Sequence, residues 1–313
     1  MATGHRPVLL EEAVRVLDPG SGSIVVDATF GGGGHARKIL DVLSDEGRVI
    51  GIDRDPAAAE RASMIDDGRF EFIGGRYDDV LWQMVEAGER VDAVLFDLGL
   101  SSYQIDETER GFSYVNEGPL DMRMDTTSGV SAAEYLNSVE VRELARVLGE
   151  YGDIPRGRAR RLAREISERR PLATTSDLLE AVRATIGWVE KGGNPAKRVF
   201  QAVRLQVNDE LGSLRRALVA TERLLVPGGR LVAITFHSGE DRIVKRFIAD
   251  RSGRCVCPPD LPVCLCGAKR VFRKGPILQP SEREKRENPR SASARLRVAY
   301  RTGEPPTEAE DEV

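Results

Sequence analysis

The residues most able to do chemistry begin with Asp27 to His35 (DATFGGGGH), where a carboxylate, a threonine, four glycines and a histidine follow one another. Glycines let the chain turn sharply and let a ligand approach the backbone closely. A helix starting after them offers free N–H groups. Asp53 ends the next apolar segment, about 20 residues beyond the loop, where a carboxylate can accept both ribose hydroxyls of an adenosine. These features alone fit a dinucleotide, another adenosine cofactor, or a plain strand–helix turn. Asp27 and Asp97 narrow the choice. Both end apolar segments that the topology directs to one crevice. Carboxylates gathered there would repel a pyrophosphate, and no GKS or GKT follows the glycines. S-adenosylmethionine carries a sulfonium and an ammonium and no phosphate, so it suits such a crevice on Coulomb grounds.

Further candidates lie downstream. Ser101 and Ser102 follow Asp97 closely. Their hydroxyls can accept a hydrogen bond from an amine, or cap a helix. His237 is one of three histidines, with His5 and His35, and it follows an apolar segment, with Asp241 four residues on. It can orient a base or help a proton leave, or simply bond to backbone in a strand–helix turn. Cys255, Cys257, Cys264 and Cys266 form two pairs around Pro258 and Pro259. Four thiolates can hold zinc tetrahedrally, and such a zinc would be structural. Structural zinc favours two residues between paired cysteines, whereas here there is one; unligated thiols are the simpler reading. No metal is expected in the reaction.

These residues need elements to position them. Buried strands are expected over 23–29, 48–53, 70–73 and 91–98, with helices over 35–44, from 55 onward, and over 77–87. That alternation is the mark of a parallel sheet with helices on both faces. It stops near Ser101. Helical stretches follow over 131–136, 141–148, 158–168 and 175–186, then one long helix over 198–225. Gly228 and Gly229 stop it, and strands at 230–236 and 293–301 flank a helix at 241–250. The expected fold is α/β: a Rossmann-like sheet over 1–104 and 198–301, interrupted by an inserted helical domain over 105–197. An acidic tail at 302–313 is expected to be disordered.

Length and composition agree. The 313 residues suffice for one large domain or two modest ones, and 41% hydrophobic content supports a sizeable core. A net charge of −4 argues against nonspecific nucleic-acid binding. The charge is uneven, however: 156–170 and 269–297 are rich in Lys and Arg, so an RNA substrate stays open. No apolar run is long enough to span a bilayer, and the first residues lack the pattern of a secretory signal, so a cytoplasmic location without membrane association is expected.

The chain also resembles the RsmH (MraW) family of 16S ribosomal RNA cytosine-N4 methyltransferases. The blocks that carry the resemblance are HRPVLLEE from His5, DATFGGGGH from Asp27, GIDRDP from Gly51, FDLGLSS from Phe96 and ERGFS from Glu109. Further along come GPLDMRMD from Gly118, NPA from Asn194 with FQAVR from Phe200, VNDEL from Val207, FHSGEDR from Phe236 and NPRS from Asn288. Any one is weak; all of them in order are specific. The resemblance implies a Rossmann-like class I S-adenosylmethionine-dependent methyltransferase sheet with an inserted helical substrate domain that recognises RNA. It implies cofactor contacts from Gly33, Gly34, His35, Asp53, Tyr77, Asp97 and Gln104. It implies methylation of the N4 amine of a cytidine, cytosine 1402, in the decoding centre of 16S rRNA, within the small ribosomal subunit. Two places depart from the family pattern. Gly239 stands where Leu is usual, which loosens the turn carrying His237, and Tyr151-Gly-Asp-Ile-Pro155 replaces the usual Tyr-Gly-Glu-Glu. An NAD-dependent dehydrogenase, a non-catalytic assembly factor, and a methyltransferase acting on protein or DNA are the competing readings.

Overall fold

The computed structural model describes residues 7–187, 194–253, 257 and 268–307. Its strands are β1 (Ile24–Asp27), β2 (Arg48–Asp53), β3 (Phe70–Gly74), β4 (Val91–Asp97), β5 (Leu225–Thr235), β6 (Phe272–Leu278) and β7 (Arg295–Arg301). The first helices are α1 (Leu10–Leu17), α2 (Gly34–Val42), α3 (Pro56–Ala62), α4 (Tyr77–Glu86) and α5 (Ser102–Asp106). Next come α6 (Ala132–Ser138), α7 (Val141–Tyr151), α8 (Arg156–Glu168), α9 (Thr175–Ile186) and α10 (Pro195–Val207). The last are α11 (Glu210–Leu224), α12 (Ser238–Asp250) and α13 (Glu282–Glu287). The chain divides into two compact units, 1–99 with 211–313, and 100–210.

The first unit holds a seven-stranded sheet in the order β3-β2-β1-β4-β5-β7-β6. The strands from β3 to β5 run parallel, while β7 is antiparallel to both β5 and β6. Side chains alternate across the sheet, as the two-residue strand period requires. Val25, Val49 and Leu95 pack with Leu17 of α1 and Ile39 of α2 on one face. Val26, Ile50 and Phe96 pack with Leu81 of α4 and Leu218 of α11 on the other. With both faces covered, the strands read as continuous apolar runs. The strand order reverses between β1 and β4, and a crevice opens beyond the carboxyl ends of strands at such a point.

The second unit has its own core, built from Leu144, Leu148, Leu162, Ile166, Leu178 and Phe200, among others. It begins at Leu100 and ends at Glu210, wider than the expected 105–197, and so includes α10. Local chemistry sets several of its ends. The Thr174 side chain accepts the Asp177 N–H, and Asn194 accepts the Ala196 N–H just before Pro195.

Several features differ from the sequence reading. The single helix expected over 198–225 is two, because Asp209 takes a left-handed φ of 48°. Asn208 holds the break: its amide donates to Met122 O and Arg204 O and accepts the Met124 N–H. The apolar period runs on through the break and hides it. The glycines at 228–229 lie within β5, which starts at Leu225 and shifts register against β4 between Val91 and Ala93. Helix α1 and the edge strand β6 were not expected at all. The start of the tail is tethered: Glu304 O accepts from Arg301 Nη1 at 2.6 Å, and the Thr307 N–H donates to Glu222 Oε1 at 2.6 Å. The remaining tail residues lie outside the described residues.

Candidate active site

The carboxyl ends of β1, β2, β4 and β5 bring together Asp27, Asp53, Asp97 and the turn after Thr235. Asp27 is fully buried. Its Oδ1 accepts the Thr29 N–H at 3.3 Å. Its Oδ2 is buried with no hydrogen-bond partner among the described residues. Desolvation pushes its carboxyl up to about 7, opposed by the backbone N–H groups of Thr29 and Ala36 and reinforced by the negative charge of Asp53. Asp97 is raised well above the ordinary 3.8, first by burial and then by repulsion from Asp27 and Glu240. The Asp97 Oδ2 lies 3.5 Å from His35 Nδ1, and its Oδ1 is buried and unpartnered among the described residues. Thr29 ties the two strand ends, its Oγ1 accepting the Asp97 N–H at 2.6 Å.

Buried carboxylate oxygens without partners are costly unless a donor or cation meets them. The chemistry of this donor set therefore fits a positively charged ligand and disfavours a pyrophosphate, as the sequence implied. This crevice suits the ammonium and sulfonium of S-adenosylmethionine.

The glycine loop is held by Asp53. Its Oδ2 accepts the Gly31 N–H at 2.7 Å and its Oδ1 the Asp55 N–H at 2.9 Å. Burial raises its carboxyl, and these backbone bonds pull it back. Arg61 donates to Gly31 O from the other side, at 2.9 Å. Gly33 has a left-handed φ of 75°, and a Cβ there would stand 2.6 Å from the Phe30 ring. The glycine is thus required by packing inside the protein as well as by the turn. Gly34 begins α2, followed by buried His35. Tyr77 begins α4 and meets Phe96 edge-on, with ring centroids 5.7 Å apart. The neighbouring Asp78, almost wholly buried, takes hydrogen bonds from Arg76 and Arg216, which pins this end of α4 to α11.

His237 is the N-cap of α12. Its Nδ1 accepts the N–H groups of Gly239 and Glu240, at 3.2 and 3.4 Å. Its Nε2 lies 3.0 Å from Glu240 Oε1, off the line of a hydrogen bond. Buried Glu240 in turn accepts the N–H groups of Phe236 and His237. A Cβ on Gly239 would sit 3.1 Å from the imidazole, so this glycine leaves room for the ring. The His237 ring lies directly over this first turn of α12. Sequence reasoning missed Glu240, although its spacing from the cap is that of a capping box. It also missed Thr29 and Asp78, for which nothing in the local pattern gave a signal.

Ser101, Ser102 and Gln104 belong to the second unit, at the start of α5. Ser101 and Gln104 form a reciprocal capping box: Ser101 Oγ accepts the Gln104 N–H at 3.3 Å, and Gln104 Oε1 accepts the Ser101 N–H at 3.1 Å. Of the cysteines, Cys257 is described; Cys255, Cys264 and Cys266 lie outside the described residues, as does His5. No helix among the described residues is long and apolar enough to cross a membrane.

The protein is 68% identical to the ribosomal RNA small subunit methyltransferase H of Rubrobacter xylanophilus over 309 residues, covering 98% of this chain and 99% of that one. It is 45% identical to the enzyme of the same name from Heliobacterium modesticaldum, covering 96% and 99%. Among solved structures, an rRNA methylase from Streptococcus thermophilus aligns at a TM-score of 0.41 and 14% identity, covering 96% of this chain and 99% of that one. The MraW methylase family matches residues 2–302. A carboxylate-rimmed crevice at the sheet's switch point and a family match over almost the whole length lead to one conclusion: this chain belongs to the MraW methylase family.

Proposed function

We propose that this protein transfers a methyl group from S-adenosylmethionine to the N4 amine of a cytidine in the decoding centre of small-subunit ribosomal RNA. The observation that carries the donor side is the pair of buried, unpartnered carboxylate oxygens on Asp27 and Asp97. The substrate side rests on the relatives, named as small-subunit rRNA methyltransferases.

When bound, S-adenosylmethionine supplies a methyl carbon already activated by its sulfonium. The protein's task is then to position and to shield. Asp27 and Asp97 neutralise positive charge in a setting poor in water. Asp53 keeps the Gly31–Gly34 loop shaped, with lone pairs left to accept ribose hydroxyls. Gly33, Gly34 and His35 line the loop, and Tyr77 offers an aromatic surface. Gln104 enters this reading through the family resemblance alone, and Ser101 and Ser102 enter it as candidate acceptors for the amine.

Cytosine N4 is a weak nucleophile because its lone pair is spread into the ring, and a proton must leave as the new bond forms. Ser101 Oγ, already accepting one N–H, retains a second lone pair for an amine. The Nδ1 of His237 is committed to the α12 backbone, so the neutral imidazole carries its hydrogen on Nε2. That suits it to hold a base in place rather than to take its proton.

The test is mass mapping of small-subunit rRNA from cells with and without the gene. N4-methylcytidine should vanish from one position in the deletion strain. Equal amounts in both strains would remove the proposed substrate. A titration of the purified protein with S-adenosylmethionine and with NAD tests the donor separately.

A further inference from the structure

A groove of about 1050 Å³ runs along α7 and α8 of the second unit. Five arginines and three glutamates line it. Arg146 grips Glu143 through Nε and Nη2, at 2.9 and 2.5 Å, and Glu150 through Nη1, at 2.6 Å, so these charges offset one another. Arg142, Arg156, Arg160 and Arg164 are exposed and have no carboxylate partner among the described residues.

Three of these share one face of α8, four residues apart, where like charges repel. From Arg156 to Arg164 the face extends about 12 Å. Arg156 and Arg158 also occupy the first turn of α8, which contains no acidic residue, although the macrodipole there already favours anions. The helix gains nothing in stability from this placement. An external anion would relieve it, and guanidinium groups match phosphate oxygens in paired hydrogen bonds. The length of the row calls for a run of linked phosphates rather than one free ion. On a chain of net charge −4, such a local excess is also what would steer a polyanion to one face.

We infer that this groove seats the phosphodiester backbone of the rRNA substrate. The inference rests on the rRNA reading above and adds the surface that meets the backbone. Such contacts position the strand without reading its sequence.

The test uses the full chain with the triple substitution Arg156→Gln, Arg160→Gln and Arg164→Gln. Arg169→Gln is the control; Arg169 pairs with Glu165 on the same helix and does not line the groove. Binding to a small-subunit rRNA fragment and to small-subunit particles is measured from about 50 to about 200 mM salt. The triple variant should bind at least about tenfold more weakly and flatten the log–log salt dependence by roughly 2 to 3. The control, the S-adenosylmethionine affinity and the unfolding midpoint should not change. A triple Arg→Lys variant should keep a near-normal salt dependence. If that variant loses it as the Gln variant does, the effect is structural and the inference falls. Unchanged RNA binding by the Gln variant overturns the groove while leaving the methyltransferase reading intact. Competition by poly-glutamate as effective as by RNA overturns it in favour of an acidic protein partner. A wild-type protein that binds neither RNA nor particles overturns both.

Discussion

Replacing Asp27 by Asn removes a carboxylate that the fold buries without full compensation. In the folded protein this group titrates near 7, against an ordinary 3.8 in an unfolded chain. Between those values the folded state holds a proton that the unfolded chain has lost. Stability therefore falls as pH rises through the window. Asp27's contribution is complete below about pH 4 and lost by about pH 8. Each pH unit inside the window is worth about 1.4 kcal/mol, so Asp27 alone accounts for a loss of about 4 kcal/mol across it and about 2 kcal/mol between pH 5 and 7, with the raised Asp53 and Asp97 acting in the same direction. Carboxylates held below the ordinary value, such as Asp78 and Asp241, have the opposite sign and lose their stabilisation as pH falls below about 4, outside the range tested. The assay is urea unfolding of ligand-free wild type and Asp27→Asn at pH 5, 6, 7 and 8. Wild type should lose about 2 kcal/mol more than the variant between pH 5 and 7. S-adenosylmethionine should bind wild type more tightly as pH rises toward 7, by up to about tenfold per unit, since a proton must leave before the cation enters. The variant should bind weakly with a flatter profile. Parallel unfolding curves for the two proteins would mean that Asp27 ionises normally. The case for an uncompensated negative crevice would then be lost.

Three other outcomes follow from the same geometry. Asp53→Asn should weaken S-adenosylmethionine at least about tenfold by calorimetry while far-ultraviolet circular dichroism stays unchanged, the amide oxygen still serving one of the two loop N–H groups; undiminished affinity would take Asp53 out of the site. Glu240→Gln removes a charge that helps raise Asp97, so the Asp97 carboxyl carbon should titrate at lower pH by NMR, and an unmoved titration would show that this charge does not reach it. Arg297, nearly buried, is paired by both oxygens of Asp241, at 2.8 and 3.0 Å, and Asp241→Ala should cost about 3 kcal/mol in urea unfolding by stranding that charge; a change below about 0.5 kcal/mol would show the pair to be dispensable.

Much was legible in the chain alone. The apolar runs ending in Asp27, Asp53 and Asp97 reveal buried parallel strands, because strands covered on both faces can carry almost nothing polar except at their ends. Those ends are also where a ligand crevice lies, so the same residues announced both the sheet and its charge. The loop glycines and the Asp55–Pro56 helix start were readable for local reasons, since backbone sterics and caps act within a few residues.

What depended on distant partners was not readable. The break at Asp209 rests on Asn208 reaching Met122 and Met124, more than eighty residues away in sequence. Strand β6 is an edge strand that alternates little and forms by pairing with β7. In sequence His237 reads equally as a group that handles the base or as one bonded to backbone in a turn; in the fold its Nδ1 is spent on the helix backbone and its ring lies beside buried Glu240. Which atoms face a ligand and which are used up inside the protein is a matter of three-dimensional hydrogen-bond partners. Residue types and spacing declare the capacity for chemistry; only packing decides which lone pairs remain.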